Sequence, residues 1–210
     1  MEYHVMEKNN TREEIIEAAL DLFSVNGYEA TSISQLADAV GIRKASLYSH
    51  FANKHEILET VVDTVLGGYA KHSIFARANW DDPAFTKDKH SMTAEEAADN
   101  VMGQIRYILH DPHIKKGRKM LMIEQFRNQE MAVLQTRQNY EGVMSYFSGM
   151  MRFLMREDVL KKADPEIMAA QFSSPITVWI NLCDREPERE DEVMELIRKH
   201  VIQFFNIYRK

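Results

Sequence analysis

One cysteine, five prolines and eight glycines in 210 residues are few, and each scarcity excludes something. Cys183 has no partner for an internal disulfide, and a thiol without cysteine neighbours is no zinc framework; it reads as a small buried apolar residue. So few helix breakers, with no alternating strand run of useful length, predict an all-α protein. The longest apolar run, "QFSSPITVWINLC", is too short to cross a bilayer, so no membrane partner is expected. The opening "MEYHVMEKNN" lacks a basic segment followed by an apolar core, which indicates neither signal peptide nor anchor and predicts a cytoplasmic location.

The signatures of catalysis are missing too. There is no glycine-rich phosphate loop, no nucleophile elbow and no helical His-Glu-x-x-His. "HDPH" at 110–113 pairs two histidines, but the proline ends the helix and no third ligand follows at zinc-like spacing, so a surface turn is the better account. No catalytic residue, metal or cofactor is assigned, and an enzyme is not expected.

What is present is a globular composition, 45% hydrophobic and 28% charged, with a net charge of −6. The charge is uneven. No acidic residue lies between Val40 and His55, whereas Arg43, Lys44, His50, Lys54 and His55 all do. Acids crowd into "TREEIIEAALDLF" and "DREPEREDEVMELI", so a local basic patch sits on an acidic whole.

The N-terminal pattern is a series of capped helices. Thr11 and Glu14 have capping-box spacing, Ile15, Ala19, Leu22 and Phe23 share one face, and Asn26-Gly27 predicts a left-handed stop. Ser32 and Gln35 repeat the box before Ile33, Leu36, Ala37 and Val40, and Gly41 ends that helix. Leu47 and Phe51 give a short third helix its buried side. Asn53 and Glu56 then open a long fourth helix with Ile57, Leu58, Val61, Val62, Val65 and Leu66 inward. Gly67-Gly68 interrupts it, as either a hinge or a close helix crossing.

Three short helices with a glycine-containing turn before the third are the layout of a helix-turn-helix unit, whose last helix enters the major groove of DNA. Arg43, Lys44 and Lys54 sit at helix starts, where a cation costs about 0.3–1 kcal/mol against the helix dipole. A polyanionic partner accounts for that placement, because phosphates reward both the cations and the free backbone N–H groups.

The stretch from Thr11 to about Val62, above all "ATSISQLADAVGIRKASLYSHFANKHEILETVV", resembles the DNA-binding domain of the tetracycline-repressor (TetR) family of bacterial transcriptional regulators. The matching features are "TSISQLADAVGI", "ASLY", "HF", and "NK" followed by glutamate and paired aliphatics. The resemblance covers the first quarter or so of the chain; beyond it only size and helical layout agree. It implies a helix-turn-helix domain over 1–54 and an effector-binding and dimerisation domain over 55–210, linked by the helix from about 54. It places Lys44, Ser46, Tyr48 and Ser49 toward the groove, and Thr31, His50 and Lys54 at backbone phosphates. Simple exposure of Ser46 and Ser49, and an internal hydrogen bond for His50, remain open. Arg43 departs from the family, which more often has a small capping residue there; it is expected to read a base or grip a phosphate.

Beyond that domain, periodicity predicts helices over about 93–110, 115–127, 130–157, 165–183 and 190–208, after a linker "NWDDPAFTKDKHSM". Met194, Ile197, Val201, Phe204 and Tyr208 form one stripe, and Phe172, Ile176, Trp179 and Cys183 another. They face either the subunit's own core or a partner; a homodimer interface, as in the family, is the expectation. Seven of the 13 methionines fall between Met120 and Met155, as ordinary core or as the lining of a pocket for an apolar effector. The pocket candidates are Tyr107, Gln125, Phe126, Tyr140, Met144, Phe147 and Trp179. The function expected is that of a ligand-responsive, dimeric repressor of a palindromic DNA operator, with activation left open by the resemblance. The alternative is an all-α small-molecule-binding or protein-interaction module without specific DNA function.

Overall fold

The computed structural model describes residues 2–72, 78–87, 89 and 91–210. Its helices are α1 (Glu2–Asn26), α2 (Ile33–Val40), α3 (Lys44–Leu47), α4 (Lys54–His72), α5 (Pro83–Thr86), α6 (Ala94–His110), α7 (Pro112–Glu124), α8 (Gln129–Thr136), α9 (Gly142–Arg156), α10 (Pro165–Arg185) and α11 (Glu190–Tyr208). A π-helical turn over Arg137–Glu141 joins α8 to α9. No strand forms among the described residues; an isolated bridge pairs Leu160 with Arg209. None of the helices is long and apolar enough to cross a membrane among the described residues.

The chain divides into two compact units: Met1–His72 with Pro112–Gln135, and Ser73–Asp111 with Thr136–Lys210. α7 and most of α8 thus share a unit with α1 to α4. Asp111 and Pro112, in the "HDPH" turn, are the point of return, and each histidine of that turn pairs within its own unit: His110 Nε2 lies 2.8 Å from Glu190, and His113 Nε2 lies 2.7 Å from Glu17. Part of the expected linker, Asp88 and His90, lies outside the described residues; α5 forms within the same stretch, capped by the Asp82 carboxylate accepting from the Ala84 N–H.

Local signals account for most helix ends. The Ser32/Gln35 box closes in both directions, with Gln35 N–H donating to Ser32 Oγ and Ser32 N–H to Gln35 Oε1. Thr93 and Glu96 form a second box at the start of α6. Glycines at φ +84° (Gly27) and +76° (Gly41) occupy the left-handed region that favours residues without a Cβ. The expected start at Thr11 is overturned, since α1 runs from Glu2. No glycine or proline interrupts the preceding residues, and Glu14 instead accepts from Asn10 one turn back at 2.9 Å.

The first unit packs Ile15, Ala19, Leu20 and Phe23 of α1 against Leu36, Leu47, Phe51, Ile57, Leu58 and Val61 from α2 to α4, and against Met120 and Leu121 of α7. The acidic outer side of α1 meets basic residues of α7: Glu17 with His113, and Asp21 with Lys116. The basic run "HIKKGRK" thus partly neutralises α1 from within the unit.

In the second unit Phe172, Ile176, Ile197, Val201 and Phe204 lie at 0–5% exposure in one core with Ala98, Ile105, Phe147 and Met151. Met194 is buried with them, and Trp179 and Tyr208 pack on the same core half-buried. The expected interface stripes of α10 and α11 are therefore corrected in most of their residues: Phe172, Ile176, Cys183, Met194, Ile197, Val201 and Phe204 are the subunit's own core and already excluded from water, whereas Trp179 and Tyr208 keep part of their surface. The apolar groups that α10 and α11 do expose are others, Ile167, Val178 and Ile207.

Candidate nucleic-acid interface

The turn between α2 and α3 is closed by backbone bonds. Gly41 N–H donates to Asp38 O at 3.1 Å and Ile42 N–H to Ala37 O at 3.0 Å, so the chain leaves α2 sharply and Arg43 takes extended backbone as the N-cap of α3. No side chain caps α3, which follows from an arginine at a position suited to Ser, Thr, Asp or Asn. Leu47 is fully buried and fixes which side of α3 faces inward. Arg43, Lys44, Ser46, Tyr48 and Ser49 are left exposed, and His50 half-buried.

Two of these groups carry a defined polarity. Ser49 Oγ donates to Ser46 O at 2.6 Å, so its outward lone pairs can only accept. Tyr48 is 47% exposed, large for a ring on a small domain, with its phenol free to donate to a phosphate.

Thr31 departs from expectation. It is 1% exposed and its hydroxyl donates to Gly27 O at 2.8 Å, so the side chain closes the α1–α2 turn and cannot reach a phosphate. Lys54 opens α4 with its Nζ 4.2 Å from the centre of the Tyr28 ring and 3.4 Å from Glu29 O. Asn53 Oδ1 accepts the Glu56 N–H at 2.9 Å, while Glu56 reaches back to the Ala52 N–H, so the start of α4 is fixed from both sides. Sequence reasoning missed Arg12, whose guanidinium stacks over Phe51 at 4.6 Å and ties α1 to the end of the recognition segment.

The effector candidates fall in both units: Gln125 and Phe126 belong to the first and the other five to the second. Phe126, in the turn after α7, is 90% exposed and Tyr140, in the π-helical turn, 64%, so neither lines an enclosed cavity. Gln125 donates to Met122 O at 3.0 Å, a bond within its own helix end. Phe147 stacks on Phe172 at 4.9 Å in the core, with Met144 and Trp179 packed around the same core. Not anticipated was an aromatic cluster around Trp80, whose ring lies 5.1, 5.2 and 5.8 Å from Phe85, Tyr146 and Phe153. Trp80 Nε1 is buried and unpartnered among the described residues, and burial pushes the Tyr146 phenol well above its ordinary range. A cluster assembled from residues up to 73 positions apart leaves no local pattern to find. No group of three or more metal-ligating side chains occurs among the described residues.

A glycine-stopped helix, a tight turn and a short helix exposing cationic and hydroxyl groups define a helix-turn-helix protein. Residues 15–61 match the model of the bacterial regulatory proteins of the tetR family. The regulator TcmR of Streptomyces glaucescens is 38% identical over 55 residues, 26% of this chain and 24% of its own. The transcriptional repressor KstR2 of Mycobacterium tuberculosis is 41% identical over 69 residues, 33% of this chain and 32% of its own. This chain thus spans about a quarter to a third of the length of those relatives. SmeT, the repressor of the Stenotrophomonas maltophilia multidrug efflux pump SmeDEF, shares the fold with a TM-score of 0.63 over 95% of this chain and 90% of its own, at 20% identity. Residues 15–61 thus resemble the DNA-binding domain of the tetR family, and over almost its whole length the chain shares the fold of SmeT.

Proposed function

We propose that the protein is a sequence-specific transcriptional regulator, a ligand-responsive repressor that binds a palindromic operator as a dimer. The observation that carries this reading is the face of α3: Arg43, Lys44, Ser46, Tyr48 and Ser49 exposed together, in a segment with no acidic residue from Val40 to His55. A lysine or arginine there can donate to guanine O6 and N7, the Ser49 oxygen can accept from the amino group of adenine or cytosine, and Tyr48, His50 and Lys54 can grip phosphates. The family match over residues 15–61 supports the same assignment. The unit of Ser73–Asp111 and Thr136–Lys210 serves the effector and the dimer.

Two recognition helices are needed to read an inverted repeat, and the exposed Ile167, Val178 and Ile207 support pairing through the outer faces of α10 and α11. Ile202 and Ile207 also line a shallow groove with Lys199, Gln203 and Asn206. The effector reading rests on the second unit, where the unspent Trp80 indole N–H lies within an aromatic cluster suited to a small apolar ligand. SmeT has been solved in complex with triclosan. A ligand releases DNA only through its differential affinity for the two states.

The test is equilibrium binding of the purified protein to an enriched duplex, beside a variant carrying Lys44→Ala and Tyr48→Ala. Loss of binding by the folded variant is the expected result. Equal affinity would place recognition elsewhere and favour a ligand-binding module without specific DNA function.

A further inference from the structure

The residue after a glycine-stopped helix usually turns its amide back onto a carbonyl of the last turn. After α1 it does not. Gly27 N–H donates to Phe23 O at 3.0 Å, but the next amide, Tyr28 N–H, donates at 2.7 Å to Oε1 of Glu124, a residue 96 positions later at the end of α7. Glu124 is 0% exposed, and its other oxygen has no partner among the described residues. Burying a carboxylate with one open oxygen is costly, and a neutral acceptor would serve a turn as well. The fit is close: a Cβ at Gly27 would stand 2.6 Å from Glu124 Oε1, so the left-handed glycine is required by the carboxylate as well as by its own φ.

Tyr28 is what this bond positions. Its ring packs edge-to-face on buried Phe23, with centroids 5.4 Å apart, and presents its face to Lys54 Nζ at 4.2 Å. We propose that Glu124 is a positioning residue for DNA binding: it fixes the turn bearing Tyr28, and Tyr28 holds Lys54 at the start of α4 where a phosphate meets it. The inference rests on the regulator reading above and adds to it a residue that touches no DNA. A lysine held over the ring keeps its ammonium where the phosphate lies; one released from the ring leaves that position, and the contact and its counterion release are lost with it.

The experiment measures affinity for one enriched duplex at several salt concentrations, for the wild type, Lys54→Met, Glu124→Met, Glu124→Gln and the double Glu124→Met/Lys54→Met. Lys54→Met and Glu124→Met should each flatten the plot of log K against log salt by about 0.9, the share of one phosphate contact. The double variant should be no flatter than either single one. Glu124→Gln, whose amide oxygen still accepts from Tyr28 N–H, should bind as the wild type does. Additive losses, or a wild-type slope in folded Glu124→Met, overturn the proposal. Should Glu124→Met not fold, Tyr28→Leu must reproduce the Lys54→Met slope while Tyr28→Phe leaves it unchanged, and failure of that pair overturns it equally. Absence of duplex binding by the wild type removes the regulator reading and this inference with it, whereas wild-type binding with an unmoved Glu124→Met slope removes the inference alone.

Discussion

A Cβ placed on Gly117 would lie 2.5 Å from Cγ1 of Val65, so α7 crosses α4 at the one point where its side chain is a hydrogen. Among the described residues this is the close crossing of α4, whereas a Cβ on Gly67 or Gly68 meets nothing within 4 Å. Gly117→Ala should cost about 1–3 kcal/mol by overpacking. Val65→Ala in the same chain should recover part of that loss, a non-additivity that urea unfolding of the four variants would measure.

Gly67 and Gly68 give the opposite expectation. Both lie inside helical backbone with open space around them, so each alanine substitution should stabilise α4 by about 0.5–1 kcal/mol. A rise in the unfolding midpoint checks it; a fall would mean that these positions need a conformation alanine resists.

Arg43 should trade stability for binding. A serine there could accept from an open N–H of α3, so Arg43→Ser should gain about 0.5–1 kcal/mol in unfolding free energy. The same variant should bind duplex DNA more weakly, with a salt slope flatter by about 0.9 if Arg43 grips a phosphate. Unfolding and binding titrations on one preparation would show the two opposite signs, and stronger binding by the variant would contradict the role.

Glu96 predicts a pH dependence. Its carboxyl is held below the ordinary range, first by the Thr93 backbone N–H and then by the Thr93 hydroxyl. A depressed folded value means stability that is fully present above the ordinary glutamate pKa of about 4.3 and is lost as pH falls through the lower folded value. Glu96→Gln keeps the reciprocal bond without titrating, so its unfolding midpoint should fall less than that of the wild type on acidification from about pH 5. Parallel acid curves would refute this.

The outward and inward faces of the last two helices should separate cleanly. Val178→Glu with Ile207→Glu should leave a folded monomer in sedimentation velocity, because both side chains are exposed. Ile197→Glu should abolish folding, because that side chain is fully buried and its charge would be unpaired.

These helices also show how far the sequence carried. The bounds of α11, Glu190–Tyr208, agree with periodicity, and the box at Ser32/Gln35 closes as its spacing implies. The Phe172–Ile176 and Ile197–Val201–Phe204 stripes were legible as buried, but periodicity names the face that avoids water and not what covers it. Thr31 looked like a phosphate contact by position in a motif, while its hydroxyl is spent inside the turn. Glu124 left no sequence signal at all: a glutamate at the end of a helix is ordinary, and only the fold brings it to Tyr28.

The central claim is tested most directly by selecting from a randomised pool of duplex DNA with the purified protein at several salt concentrations. Enrichment of an inverted repeat, bound with an affinity that falls by a log–log slope of about −0.9 per phosphate contact, is the expected result. Folded, dimeric protein that enriches no sequence, or binds all duplexes alike, would contradict it.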